Sequence, residues 1–82
     1  MSKKIGQRIH AKIRALQRYQ VQLNREDLRK MIIQIKLGRV LNSRKVTNRL
    51  SEKLIIYQGN TYRLMYDHTR KNIATFLPLK VK

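Results

Sequence analysis

Apolar residues stand at Ile5, Ile9, Ile13 and Leu16, with polar and basic residues filling the positions between them. The spacing i, i+4, i+8, i+11 is one stripe of an α-helix and predicts a first helix over about residues 3–19. The period is lost from Tyr19 to Leu23. Asn24 then reads as an N-cap, with Asp27 at the third helical position to complete a capping box. Glu26 and Asp27 also place negative charge in a first turn, where the helix dipole favours it. Leu28, Met31, Ile32 and Ile35 make the buried stripe of a second helix over about residues 25–37, and Gly38 supplies its C-terminal cap.

From Arg39 onward the period changes to two. A polar strand is predicted at about 44–50 and an apolar, β-branched one at 53–57. Gly59-Asn60 is a two-residue hairpin signal ahead of a strand at 61–66. Asp67 to Lys71 is a polar turn, and a last strand runs over 72–77 until Pro78 ends it. Helices first and strands afterwards predict an α+β fold. Two N-terminal helices would pack on a 3–4-stranded antiparallel meander, in one domain spanning residues 1–82.

Charge changes this picture from a fold to a partner. Lys and Arg number 20 against four Asp and Glu, a formal net charge of +16 in 82 residues. Such a surplus destabilises a small compact domain by self-repulsion, unless a dense anion neutralises it. A nucleic acid is the first candidate, since each phosphate contact releases a counterion. A membrane surface is the second, but the chain has no Trp, and the first helix has no Phe to anchor it. Cysteine is absent, which excludes disulfides, thiolate zinc ligands and a thiol nucleophile. With no signal-peptide pattern at the start and no long apolar run, a cytoplasmic protein is expected.

The four acids are Glu26, Asp27, Glu52 and Asp67, and the only histidines are His10 and His68. Two of the acids are taken by helix capping, and what remains makes neither a two-metal carboxylate site nor a zinc site. No metal or other cofactor is expected. A substrate that permits metal-free cleavage is RNA, whose 2′-hydroxyl is a built-in nucleophile. The protein then needs a base, cations for the phosphorane and a proton source.

His10 lies on the first helix with Arg14 and Arg18 at i+4 and i+8, a stripe bordering the apolar face. In that position His10 is a candidate general base. In the final hairpin, pairing Tyr66 with Asn72 would set Arg63 opposite Thr75 as a phosphate cradle. Tyr62, Leu64 and Tyr66 would then point to the other face. His68 reads as a solvated turn residue. Arg39, Arg44, Lys45, Arg49, Arg70 and Lys71 read as phosphate contacts that position without specifying sequence.

The two ends of the chain together resemble a family. His10-Ala11-Lys12-Ile13-Arg14 through Arg18-Tyr19 resembles the H-A-x-x-R-x-x-x-R opening of small RelE-like and BrnT-like proteins. The stretch from Tyr57 through Tyr62-Arg63-Leu64-Met65-Tyr66-Asp67, and then Asn72-Ile73-Ala74-Thr75-Phe76-Leu77-Pro78, is similar to their ending. The order of elements also agrees with the barnase, EndoU, colicin and RelE-like superfamily, colicin D type included. That resemblance covers nearly the whole chain. It implies a toxin-type endoribonuclease that needs no metal and leaves a 2′,3′-cyclic phosphate. Its functional positions would fall on His10 as base, Arg63 as phosphorane stabiliser and Thr75 as orienting hydroxyl. Arg14, Arg18, Arg44, Lys45, Arg49 and Tyr66 would contact RNA, and Tyr66 is a further candidate proton donor. It also implies a mobile-element source, such as a phage or plasmid. The partners would be RNA, free or ribosome-bound, and an acidic antitoxin. The competing expectation is a non-catalytic module on the same scaffold that acts on nucleic acid or host machinery by occupancy.

Overall fold

The computed structural model describes residues 3–79. Helix α1 covers Lys3–Tyr19 and α2 covers Arg25–Lys36, followed by strands β1 (Asn42–Lys45), β2 (Leu50–Tyr57), β3 (Asn60–Asp67) and β4 (Asn72–Leu77). The strands form one antiparallel sheet in the order β1-β2-β3-β4. The expected α+β arrangement, helices first and meander second, is the one observed.

The caps of α2 follow from its sequence. Asn24 Oδ1 accepts the Asp27 N–H at 2.8 Å, and the Asp27 carboxylate accepts the Asn24 N–H at 3.0 Å. Such a box satisfies two of the orphan donors of the first turn. At the other end Gly38 has φ +77°. Its N–H reaches Ile35 O and the Arg39 N–H reaches Gln34 O, both at 3.0 Å, the paired bonds of a Schellman ending that needs a left-handed residue. The Tyr57 hydroxyl donates to Asp27 Oδ1 at 2.8 Å, so the capping carboxylate also ties α2 to the sheet.

The loops differ from expectation in two places. The stretch read as one polar strand over 44–50 is broken by a turn, so β1 covers 42–45 and β2 begins at 50 rather than 53. Thr47 is the cause: its Oγ1 accepts the N–H groups of Arg49 and Leu50 at 3.2 and 3.0 Å, a local bond that competes with ladder formation. The hairpin turn is Gln58-Gly59, one residue earlier than Gly59-Asn60. Both turn residues have positive φ, 50° and 81°, as the right-handed twist of a two-residue hairpin demands, and Asn60 is the first paired residue of β3.

The helices cover one face of the sheet. Leu28, Met31 and Ile35 of α2 pack on it as expected, with Ile32 half-buried. Helix α1 lies along β4 and turns a different face inward from the one its apolar spacing suggests. Ala11 and Ala15 are fully buried, whereas Ile9, Ile13 and Leu16 are about half exposed; the Ile5 side chain lies outside the described residues. Bulk decides this. The sheet presents Tyr62, Leu64, Tyr66, Ile73 and Phe76, all buried, and Tyr19 stacks against Tyr62 and Phe76 with ring centroids 5.0 and 6.2 Å away. A face this large is complemented by small residues on the helix. The opposite sheet face, carrying Glu52, Leu54, Arg63, Met65, Thr75 and Leu77, is covered by neither helix.

Candidate nucleic-acid interface

On that uncovered face the strand register brings β1, β2 and β3 side chains together. Arg44 pairs with Glu52 across β1–β2, and Glu52 with Met65 across β2–β3. Arg63 sits diagonally from Glu52, opposite Leu54. Glu52 bridges both arginines: Oε1 accepts from Arg44 Nη2 at 3.0 Å and Oε2 from Arg63 Nε at 2.5 Å. Arg63 Nη1 also donates to Pro78 O at 3.0 Å, leaving N–H donors on Nη2 for a ligand. The hydrogen bond from Arg63 holds the Glu52 carboxyl below its ordinary range against the opposing effect of burial, and Arg44 adds to it. The Arg63 main chain is fixed as well: its N–H donates to the Tyr19 hydroxyl at 2.9 Å, and that hydroxyl donates to Leu77 O. A shallow groove of about 200 Å³ opens here, lined by Arg44, Glu52, Arg63 and neighbouring residues of β1 and β2, with Leu79 at its end.

Arg63 and Thr75 share this face but are not opposite each other. Arg63 pairs with Leu77, and Thr75 pairs with Met65. The first strand pair after the turn is Asp67 with Asn72, one residue from the expected register, and a bulge between Met65 and Tyr66 adds another. Thr75 therefore stands one row along from Arg63. Its Oγ1 lies 3.5 Å from Phe76 O.

Other expected residues go elsewhere. His10 and Arg18 are exposed on α1, and Arg14 donates to Gln17 at 2.9 Å. No hydrogen bond or ring contact among the described residues joins His10 to Arg63 or Thr75. Tyr66 is buried on the helix-covered face, away from the arginines, so it cannot donate a proton at Arg63. Lys45 is exposed on β1. Arg49 and Arg70 each lie 3.2 Å from Oδ2 of the buried Asp67. His68 is not merely solvated, since its Nε2 lies 2.7 Å from Ser51 Oγ. Arg39 and Lys71 are exposed.

Sequence reasoning did not single out Glu52, which the strand register sets between two arginines. It has no motif around it, and its only available signal was elimination: of the four acids it is the one that neither lies in the first turn of a helix nor anchors a turn. Comparison with protein-family models, with curated proteins and with solved structures finds no match. The functional reading therefore rests on the chemistry of this face and on the charge of the chain.

Proposed function

We propose that the protein binds RNA and cleaves it as a metal-independent endoribonuclease of toxin type, working in the cytoplasm on free or ribosome-bound RNA. The observation that carries this reading is one carboxylate, Glu52, held between two arginines on an open sheet face of a chain with net charge +16. A phosphodiester entering the groove competes with Glu52 for the two guanidiniums. As they turn to phosphate oxygens, Glu52 loses the bonds that depress its pKa and becomes a stronger base. It then takes the 2′-hydroxyl proton while O2′ attacks phosphorus. Arg63 and Arg44 stabilise the phosphorane charge, the bond to O5′ breaks, and that oxygen takes a proton from solvent, to which Glu52 later returns its own. The products are a 2′,3′-cyclic phosphate and a 5′-hydroxyl end. Thr75 orients the substrate from the adjacent row. In this reading Glu52 replaces His10 as base. An acidic protein covering the same face would act as its inhibitor.

The alternative, a binding module without catalysis, is favoured by one observation: both Glu52 oxygens are already occupied by arginine. Purified protein incubated with RNA in EDTA separates the two. The nuclease reading expects cleavage with cyclic phosphate ends and a loss of about 10²–10⁴-fold in Glu52→Gln, the usual cost of removing a general base. His10→Ala should cleave within a few-fold of wild type. Intact RNA at high protein excess, together with retained RNA binding, selects the binding module. Cleavage by Glu52→Gln at the wild-type rate, with loss in His10→Ala, returns the base to α1.

A further inference from the structure

Glu52 and its chain neighbour Lys53 point to opposite faces of the sheet, and Lys53 opens a second site. On the helix-covered side, beyond the end of α2, the sheet is left bare. A cleft of about 440 Å³ lies there, lined by Ile35, Lys36, Lys53, Tyr66, His68 and Lys71. Three lysines from three separate elements converge on it, and no carboxylate lines it. The five ion pairs among the described residues all use arginine, so none of these ammonium groups is neutralised. Lys53 is half-buried and donates only to Ser43 Oγ, at 2.8 Å.

The walls of the cleft are built rather than incidental. His68 is fixed on three sides: its ring to Ser51 Oγ at 2.7 Å, its edge against the Tyr66 ring at 5.1 Å between centroids, and its N–H to Arg49 O at 2.7 Å. The loop that presents His68 and Lys71 is wound around Asp67, whose Oδ1 accepts the N–H groups of Thr69 and Arg70 at 2.9 and 3.0 Å. Lys71 closes the loop in the left-handed region, φ 52°. Three lysines around a roomy, carboxylate-free cleft, beside the anchored imidazole of His68, suit a phosphate group.

We propose that this cleft is a phosphate-binding site separate from the Arg44–Glu52–Arg63 face. It takes the phosphate of a nucleotide, either free or as part of a polynucleotide backbone. Phosphate oxygens would lie among Lys36, Lys53 and Lys71, with His68, held from behind by Ser51, as the polar back wall. This inference does not depend on cleavage, and its test uses ligands that the protein cannot transesterify.

The test is amide and ring shift perturbation on the full chain, titrated separately with inorganic phosphate, 5′-AMP and an oligothymidylate. Saturable shifts centred on Ser51, His68 and Lys71 are expected. Saturation by phosphate or AMP identifies a free ligand, and saturation by the oligonucleotide alone identifies the backbone. Lys53→Met keeps the aliphatic stem and should weaken binding about tenfold, the loss of one charge-assisted contact. Lys71→Asn, which tolerates the left-handed position, should do the same, so the result does not hang on one variant's folding. Lys12→Met, whose side chain lines a different pocket beside Leu23 and Asn24, should bind like wild type. Non-saturating shifts spread over the basic surface overturn the proposal. So does an equal loss in Lys12→Met and Lys53→Met.

Discussion

Asp67 is fully buried, and its carboxylate accepts from Gln7, from the Thr69 and Arg70 N–H groups, and from the Arg49 and Arg70 guanidiniums. Burial pushes its pKa up, but the bonds from Arg70, Gln7, Arg49 and Thr69 together outweigh it and hold the group below its ordinary 3.8. Asp67→Ala should therefore cost about 3 kcal/mol, the upper end for hydrogen bonds to a charged group, measured by urea unfolding. A folded pKa below the unfolded one means the stabilisation is whole above pH 3.8 and is lost as pH falls below it. Glu52, lowered from 4.5 chiefly by Arg63, and Asp27, lowered from 3.8 chiefly by the Asn24 N–H, act in the same direction. Acid unfolding should thus set in below about pH 4.5, and Asp67→Asn should flatten its slope. An unchanged acid limb in that variant would show that the carboxylate stays ionised no more readily folded than unfolded. Tyr19 belongs to the same scale. Tyr19→Phe leaves the Arg63 N–H and Leu77 O without the hydroxyl, and should cost about 1–3 kcal/mol. On the nuclease reading proposed above, it should also slow RNA cleavage by loosening Arg63, more in kcat than in KM.

Among the elements, α1 is the one whose behaviour its own spacing does not reveal. An isolated reading of Ile5, Ile9, Ile13 and Leu16 turns that stripe to the core, because apolar spacing is the only guide a lone helix offers. What the spacing omits is the volume on the other side. Once Tyr62, Tyr66 and Phe76 fill the inner face of the sheet, only Ala11 and Ala15 allow the helix to approach. Ala15→Leu should overpack this contact and cost about 1–3 kcal/mol, whereas Ile13→Ser should change stability by no more than about 0.5 kcal/mol. Thermal or denaturant melts of the two variants check this, and a larger loss in Ile13→Ser would reverse the assignment of faces. Helix α2 is the contrary case. Its caps and its stripe were legible because Asn24, Asp27 and Gly38 act through bonds within a few residues. Strand limits were legible only to within a few residues, since Thr47 and the bulge after Met65 act through hydrogen bonds that alternation does not encode.

For the whole molecule, net charge is the governing quantity. If about six phosphates are engaged, RNA affinity should fall roughly a thousandfold between about 50 and 200 mM salt. Neutralising Arg44 or Lys53 should each lower the slope of log affinity against log salt by about one. A salt-independent affinity would remove polyanion binding as the role of this surface. No helix among the described residues is long and apolar enough to cross a membrane.

The sequence by itself determined the class of fold, the ends of α2 and a meander of three to four strands in chain order, and its charge set a polyanion as the partner to expect. Each of these depends on local bonding, on periodicity or on a sum of charges, none of which needs distant residues to be placed. Tertiary structure alone decided which face of α1 is buried and which acid each arginine meets. Arg49 and Arg70 look no different in sequence from Arg44 and Arg63. Asp67 claims the first two through the loop before β2 and the turn after β3, and Glu52 claims the second two because the β1–β2–β3 register sets which charges meet. Register is a property of paired strands, and a shift of one residue exchanges the faces of a sheet.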